Sequence, residues 1–343
     1  MSARSPRALA CASVPQVREA ARAVLTRGYA VDAVVAGVFA AGALAPSVLL
    51  GPVALLVGGA ATGLFAVDGR VQQAGKGLAR PRGFLADEEI PAGARVGVPG
   101  LVAALGAALA SFGSLPLSRV LAPAIDLGRG ASKPRAALLR RIAERGPRAI
   151  VEARVAEPLF LAAGRGEGGL LSDRDLEELR PKVVRAMATE VSSRRIVTVP
   201  WGAEAVRENG KPSLDAGRTQ VVAAADARGQ VAVACYEVAD EGLAVESLEL
   251  VFPLVASPVL RGRTRVPPGK PCATGTPIAL GEVEGLVDLA AGVSGDVGGE
   301  RTLGAWLAAW GEQKASGFES GEPPPGFLAL TRVGQGVTLF GRG

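Results

Sequence analysis

Thr219, Arg70 and the glycine-rich stretch Gly292–Gly299 are where this chain has residues that could do chemistry. Thr219 heads an apolar run, Arg70 closes the turn Asp68-Gly69-Arg70, and the glycines lead into an apolar segment. The chain has no histidine in 343 residues. That rules out Ser-His-Asp and Cys-His machinery and most zinc enzymes, so a nucleophile here needs a base other than imidazole. The three cysteines, Cys11, Cys235 and Cys272, lie far apart in no metal-binding spacing. They read as small buried hydrophobes in a reducing compartment. Taken alone, Thr219 is an ordinary β-branched strand residue and Arg70 a solvated turn arginine. Arg261, Arg263 and Arg265 form a small cluster that reads as a solvated loop sooner than as an anion site.

Such residues act only if a folded core holds them. At 48% hydrophobic and 21% charged, the chain can bury a sizeable core. The net charge of +5 is spread out, with no basic helix and no aromatic interleaving, so nucleic acid is not an expected partner. From Ala33 to Val67 no residue is charged, a length that on paper spans a membrane. Pro46, Pro52, Gly58, Gly59 and Gly63 interrupt it, and much of it is Ala and Gly. The alternative is a buried helix over about Val31–Leu44, a turn at Ala45-Pro46-Ser47, and strands ending at Gly63–Val67. Met1–Ala12 has arginines but no apolar stretch of useful length for export.

Farther along, a Val98-Pro99-Gly100 turn opens an Ala/Leu-rich helix. Phe112-Gly113-Ser114-Leu115-Pro116 makes a second turn, and a second helix ends at Gly128-Arg129-Gly130. Pro134–Arg145 reads as an amphipathic helix, and Ser172 as the cap of another. Up to about Gly217 the chain reads as mostly helical after its opening strands, with Pro200–Ala216 a polar connector. Beyond it, Thr219–Ala225 and Gln230–Tyr236 read as strands joined by a hairpin at Asp226-Ala227-Arg228-Gly229. A proline-rich loop covers Val266–Pro277. A helix lies around Leu303–Trp310, a Gly/Pro loop over Ser316–Pro325, and Ala329–Phe340 reads as a last strand.

The order of turns and helices in residues 96–130 resembles the large-subunit region of the γ-glutamyltransferases, where a V-P-G turn, a helix, a Y-G-x-L-P turn and a P-A-I helix follow one another. Arg27-Gly28-Tyr29-Ala30-Val31-Asp32-Ala33 is similar to that family's G-G-N-A-V-D-A segment, and Leu171–Leu176 to its L-T-x-x-D-L. The resemblance implies an α+β fold, the four-layer αββα sandwich of the N-terminal-nucleophile hydrolases. It implies one composite domain over 1–343, with 1–218 corresponding to the large subunit and 219–343 to a shortened small subunit. It also makes Ala33–Val67 core instead of membrane, and with no signal segment ahead of the first helix it implies a cytoplasmic protein.

In that family a precursor cleaves itself before a threonine, whose freed amine then serves as the local base. The family's T-T-H-x-S-V-V-D, turn glycine and strand tyrosine fall in step with Thr219, Asp226, Gly229 and Tyr236. Thr219 thus matches the nucleophile, and Arg70 the arginine that holds the substrate's α-carboxylate. Thr274 stands at the second of two carboxylate-binding serines, and Gly298-Gly299 at the oxyanion loop. Departures are many: Gln220 and Val221 replace the second threonine and the histidine, Ala273 replaces the first serine, and Glu237 and Ala239 replace a strand threonine and asparagine. Glu237 is a carboxylate that could in principle act as a base. The expectation is a γ-glutamyl or related acyl hydrolase or transferase, acting on a small γ-glutamyl or amide substrate with no cofactor and no metal. The alternative is a degenerate, inactive member serving as a binding or scaffold protein. A homodimer or a partner protein is compatible with either.

Overall fold

The computed structural model describes residues 7–79, 81–85, 89–191, 194–201, 218–295, 299–312, 325–334 and 336–341. Two six-stranded antiparallel sheets lie face to face. The first has the order β1 (Leu9–Ala12), β7 (Arg218–Ala225), β8 (Val231–Val238), β2 (Val53–Gly59), β3 (Gly63–Gly69), β4 (Lys182–Arg185). The second runs β14 (Gly336–Gly341), β13 (Phe327–Val333), β12 (Leu286–Val293), β11 (Ile278–Val283), β6 (Arg194–Thr198), β5 (Met187–Val191). A small hairpin, β9 (Leu243–Val245) with β10 (Leu250–Phe252), stands apart from both.

Helices cover both outer faces. On the first sheet lie α1 (Pro15–Leu25), α2 (Ala30–Leu44), α3 (Leu101–Phe112), α4 (Leu117–Ala131), α5 (Lys133–Arg145) and α6 (Ala153–Ala163), followed by the short α7 (Asp173–Glu177). On the second lies α8 (Gly299–Glu312). The αββα sandwich is therefore present. Strand alternation sorts the core into layers. Val222, Ala224, Tyr236 and Leu55 face the helices, while Val221, Ala223, Cys235 and Leu56 face the other sheet. Leu303, Leu307 and Trp310 of α8 pack on Leu289, Ala291 and Phe327.

The uncharged run is core. Every residue of α2 from Ala30 to Ala43 is buried, and so is all of β2. Among the described residues no helix is long and apolar enough to cross a membrane. An α-helix leaves its first N–H groups unpaired, and burial makes that costly. Here three carbonyl-bearing side chains take them. Asp32 accepts from Tyr29 N (2.7 Å), Asp226 from Ala30 N (3.0 Å) and Gln230 from Val31 N (3.0 Å). Asp32 also accepts from the backbone N and the Oγ of Ser114 and from Leu115 N, so it pins the second turn of the 96–130 segment to the start of α2.

One sequence expectation gains an addition and one needs correction. The first half is mostly helical after its opening strands, but β4, β5 and β6 fill residues 182–198. Their short polar-flanked runs hide a strand pattern that only pairing to each sheet reveals. Residues 329–340 are not one strand but the ends of two, β13 and β14, which pair across the turn at Gly334. β1, ahead of the first helix, was not expected either; it pairs with β7 at the sheet edge.

Candidate functional site

Thr219 is the second residue of β7, half-buried, at the end of the first sheet away from the β7–β8 hairpin. It pairs with Glu237 in β8, just as Val221 pairs with Cys235. By strand alternation Thr219 and Glu237 stand on the face that carries Val221 and Cys235, the one turned to the second sheet. Tyr236 stands on the opposite face, buried among the helices with a hydroxyl that meets no partner among the described residues, and burial pushes its phenol up. The matching tyrosine thus supports the helix layer and does not face Thr219.

The backbone of Thr219 is held from the second sheet. Its N–H donates to Gly295 O and its carbonyl accepts from Gly295 N, each at 2.9 Å. Gly295 has φ +134°, a backbone conformation open to glycine, and it lies just beyond the end of β12. Gly299 is the first residue of α8, packed on Pro277 and Val293. Gly298 lies outside the described residues.

Continuing the register of β8, β2 and β3 by one residue puts Glu237, Pro52 and Arg70 in one row with Thr219. Three strand spacings make the span from Thr219 to Arg70 roughly 14 Å between Cα atoms. Arg70 is not a solvated turn residue. Its Nε and Nη2 donate to the two carboxylate oxygens of Asp68, both at 3.0 Å, and its guanidinium lies 5.0 Å from the Trp201 ring centre. Both side chains of this pair are largely buried, at 11% and 8% exposed. The Nη1 edge of the guanidinium lies outside that fork. The V-P-G turn explains how Arg70 is placed: a Cβ on Gly100 would come within 2.8 Å of Arg70 O and 3.0 Å of Gly69 O, so only glycine lets the two turns meet.

The loop bearing Thr274 runs beside Arg70. Cys272 N donates to Val71 O at 2.7 Å and Gln73 N to Lys270 O at 2.8 Å. Thr274 is buried and, among the described residues, its hydroxyl has no partner, while Thr276 N donates to Glu300 of α8 at 2.7 Å. Thr219, Arg70, Thr274 and Gly299 therefore gather toward one end of the sandwich. The cysteines are buried and unbridged, and desolvation pushes all three thiols up, Cys272 to about 12. Such thiols are not thiolate nucleophiles. Among the described residues no three His, Cys, Asp or Glu side chains gather as metal ligands. A cavity of about 280 Å³ lined by Gly59, Gly63, Arg195 and Glu282 opens at the other end of the sandwich, away from Thr219.

Glu237 is the group that a reading by family motif undervalues. It is 7% exposed, and burial alone lifts its carboxyl to about 7. Its position was available from the hairpin: with Ala225 opposite Val231, counting outward sets residue 219 opposite residue 237. Asp68 and Trp201, the partners of Arg70, carry no comparable signal. Asp68 is close to Arg70 in sequence, but Trp201 arrives from the far end of β6.

The family model described as Gamma-glutamyltranspeptidase matches residues 18–133. No curated protein sequence matches the chain. Among solved structures, cephalosporin acylase from Bacillus halodurans is similar at TM-score 0.67 and 16% identity, over 85% of this chain and 78% of that one. LmbA2991HD is similar at TM-score 0.71 and 15% identity, over 92% and 83%. A second LmbA2991 structure reaches TM-score 0.74 at 13% identity, over 100% and 99%. At such identities the likeness speaks for the fold. The chain is thus similar to the γ-glutamyltranspeptidases over about a third of its length, residues 18–133, and shares its fold with these solved structures over most of the chain.

Proposed function

We propose that the protein hydrolyses or transfers a γ-glutamyl or related acyl group, with Thr219 as the nucleophile. The supporting observation is the place of Thr219: near the start of a central strand, on the face between the sheets, with the Gly295 turn on its backbone and a buried carboxylate opposite. In this reading the chain cleaves itself before Thr219, and the freed amine accepts the hydroxyl proton as Thr219 attacks the acyl carbonyl. Gly298 and Gly299 hold the developing oxyanion through backbone N–H groups. Thr274 offers its unpartnered hydroxyl to the substrate, and the Nη1 edge of Arg70 meets its carboxylate. Similarity to a cephalosporin acylase widens the acyl groups to be assayed beyond γ-glutamyl. In this reading the protein acts in the cytoplasm, without a cofactor, as a homodimer or with a partner protein.

One observation favours the alternative of an inactive binding protein. Asp68 already neutralises Arg70, so less of its charge is left for a substrate carboxylate. Thr219→Ala separates the two readings. The wild type, after prolonged incubation, is expected to give two bands beginning at Met1 and Thr219, and to release product from a chromogenic γ-glutamyl or acyl amide. Thr219→Ala is expected to stay intact and inert. A wild type that remains a single inert band, indistinguishable from Thr219→Ala, supports the binding protein instead.

A further inference from the structure

We infer that Glu237 is the base for self-cleavage, taking the hydroxyl proton of Thr219 as its Oγ attacks the carbonyl carbon of Arg218. This rests on the reading of Thr219 as the nucleophile and adds the group which that reading lacks. A freed α-amine can serve as base only after cleavage. In the intact chain the Thr219 nitrogen is an amide, its lone pair is delocalised, and its N–H is committed to Gly295 O. No histidine exists to replace it. The first cut needs another acceptor, and the directly opposed residue is a carboxylate.

Three observations support Glu237. Opposed residues of an antiparallel pair have Cβ atoms about 5 Å apart, so a glutamate carboxyl reaches a threonine hydroxyl across the pair. The side chain is nine-tenths buried, yet no donor or cation among the described residues meets its carboxylate. Burying such a group without a partner opposes folding, so a fold that retains it points to a use.

Among the described residues, the charges on the elements packed around it are engaged elsewhere. On its own strand and face stands Cys235, a neutral thiol. On β7, Arg218 pairs with Asp240. Beyond β2, Asp68 and Arg70 close on each other. From the second sheet side, Glu300 holds Thr276, Glu282 pairs with Arg195 at the far end of β11, and Asp288 lies toward Arg194. Behind β8, α2 brings Asp32 only at the hairpin end.

The step balances with one water. The Thr219 hydroxyl proton passes to the Glu237 carboxylate as the Oγ–C bond forms. The Arg218–Thr219 C–N bond then breaks as Glu237 returns the proton to the nitrogen, leaving an ester. Water hydrolyses that ester to the Arg218 carboxylate and a free Thr219 hydroxyl and amine.

The test follows self-cleavage of the purified full-length chain by gel across pH 5 to 9. For the wild type the rate is expected to rise with pH and level off above about 7, where burial places the Glu237 carboxyl. Glu237→Gln, shown folded by its melting curve, is expected to cleave roughly 100-fold more slowly or worse and to lose that profile. Glu237→Ala is expected to be restored in part by added formate. A Glu237→Gln chain that cleaves at the wild-type rate with the wild-type profile overturns the inference while Thr219 stands, provided Thr219→Ala remains whole. A wild type that never cleaves overturns both.

Discussion

Glu237 also bears on stability. A carboxyl whose folded-state value is about 7, against 4.5 when exposed, keeps its proton longer in the folded chain. The folded state is then favoured fully below about pH 4.5, and that advantage is lost as pH rises through 7. The span corresponds to at most about 3 kcal/mol. Glu237→Gln should therefore be more stable than the wild type at pH 8 and about equal to it at pH 4, as read by urea unfolding at each pH. A wild type no less stable at pH 8 than its glutamine variant would show that Glu237 is better solvated or paired than its burial implies. At the same scale, Arg70 shows how a match to a family pattern can leave a residue's partner unforeseen. Nothing in Asp68-Gly69-Arg70 alone tells whether the fork faces solvent, a ligand or its own neighbour; the burial that Trp201 and the facing sheet impose decides it.

At the scale of elements, several of the family-like residues build the fold. Asp226 fell in step with the nucleophile motif, yet its carboxylate caps α2 through Ala30 N and closes the hairpin through Arg228 N and Gln230 N. Asp32 and Asp175 act likewise, the latter gathering Gly75 N, Lys76 N and the Ser172 hydroxyl. Asp226→Ala should cost roughly 2–4 kcal/mol, since it strands buried N–H donors at a helix start. Thermal melting would register this as a clear loss of stability, and an unchanged melting temperature would mean that other groups satisfy those donors. Helices were the legible part of the sequence: α2, the pair over 101–131 and α5 have caps, turns and apolar faces that local pattern reveals. The strands over 182–198 were not, because their pairing partners lie far off, β6 against β11 and β4 against β3. Of the candidate site, the pairing of Thr219 with Glu237 was legible from the β7–β8 hairpin; the facing loops depend on contacts with no sequence-local sign.

For the whole molecule, the two sheets meet through small residues. A Cβ on Gly292 would come within 2.7 Å of Val221, and one on Gly58 within 2.9 Å of Leu280. Close approach of this kind leaves little slack, so Gly292→Val should force the sheets apart near Thr219 and cost roughly 1–3 kcal/mol or more. A variant as stable as the wild type would show that the sheets can slide there. The interleaving of strands has a consequence of another kind. The first sheet takes β1 to β4 from before Thr219 and β7 and β8 from after it, and the second takes β5 and β6 from before and the rest from after. A single cut ahead of Thr219 severs one covalent bond and leaves these ladders in place. Two such pieces would behave as a permanently mated pair, each an incomplete sheet edge without the other. Residues 1–218 and 219–343, made together from separate reading frames, should copurify as one folded particle, while either made alone should aggregate through its bare strands.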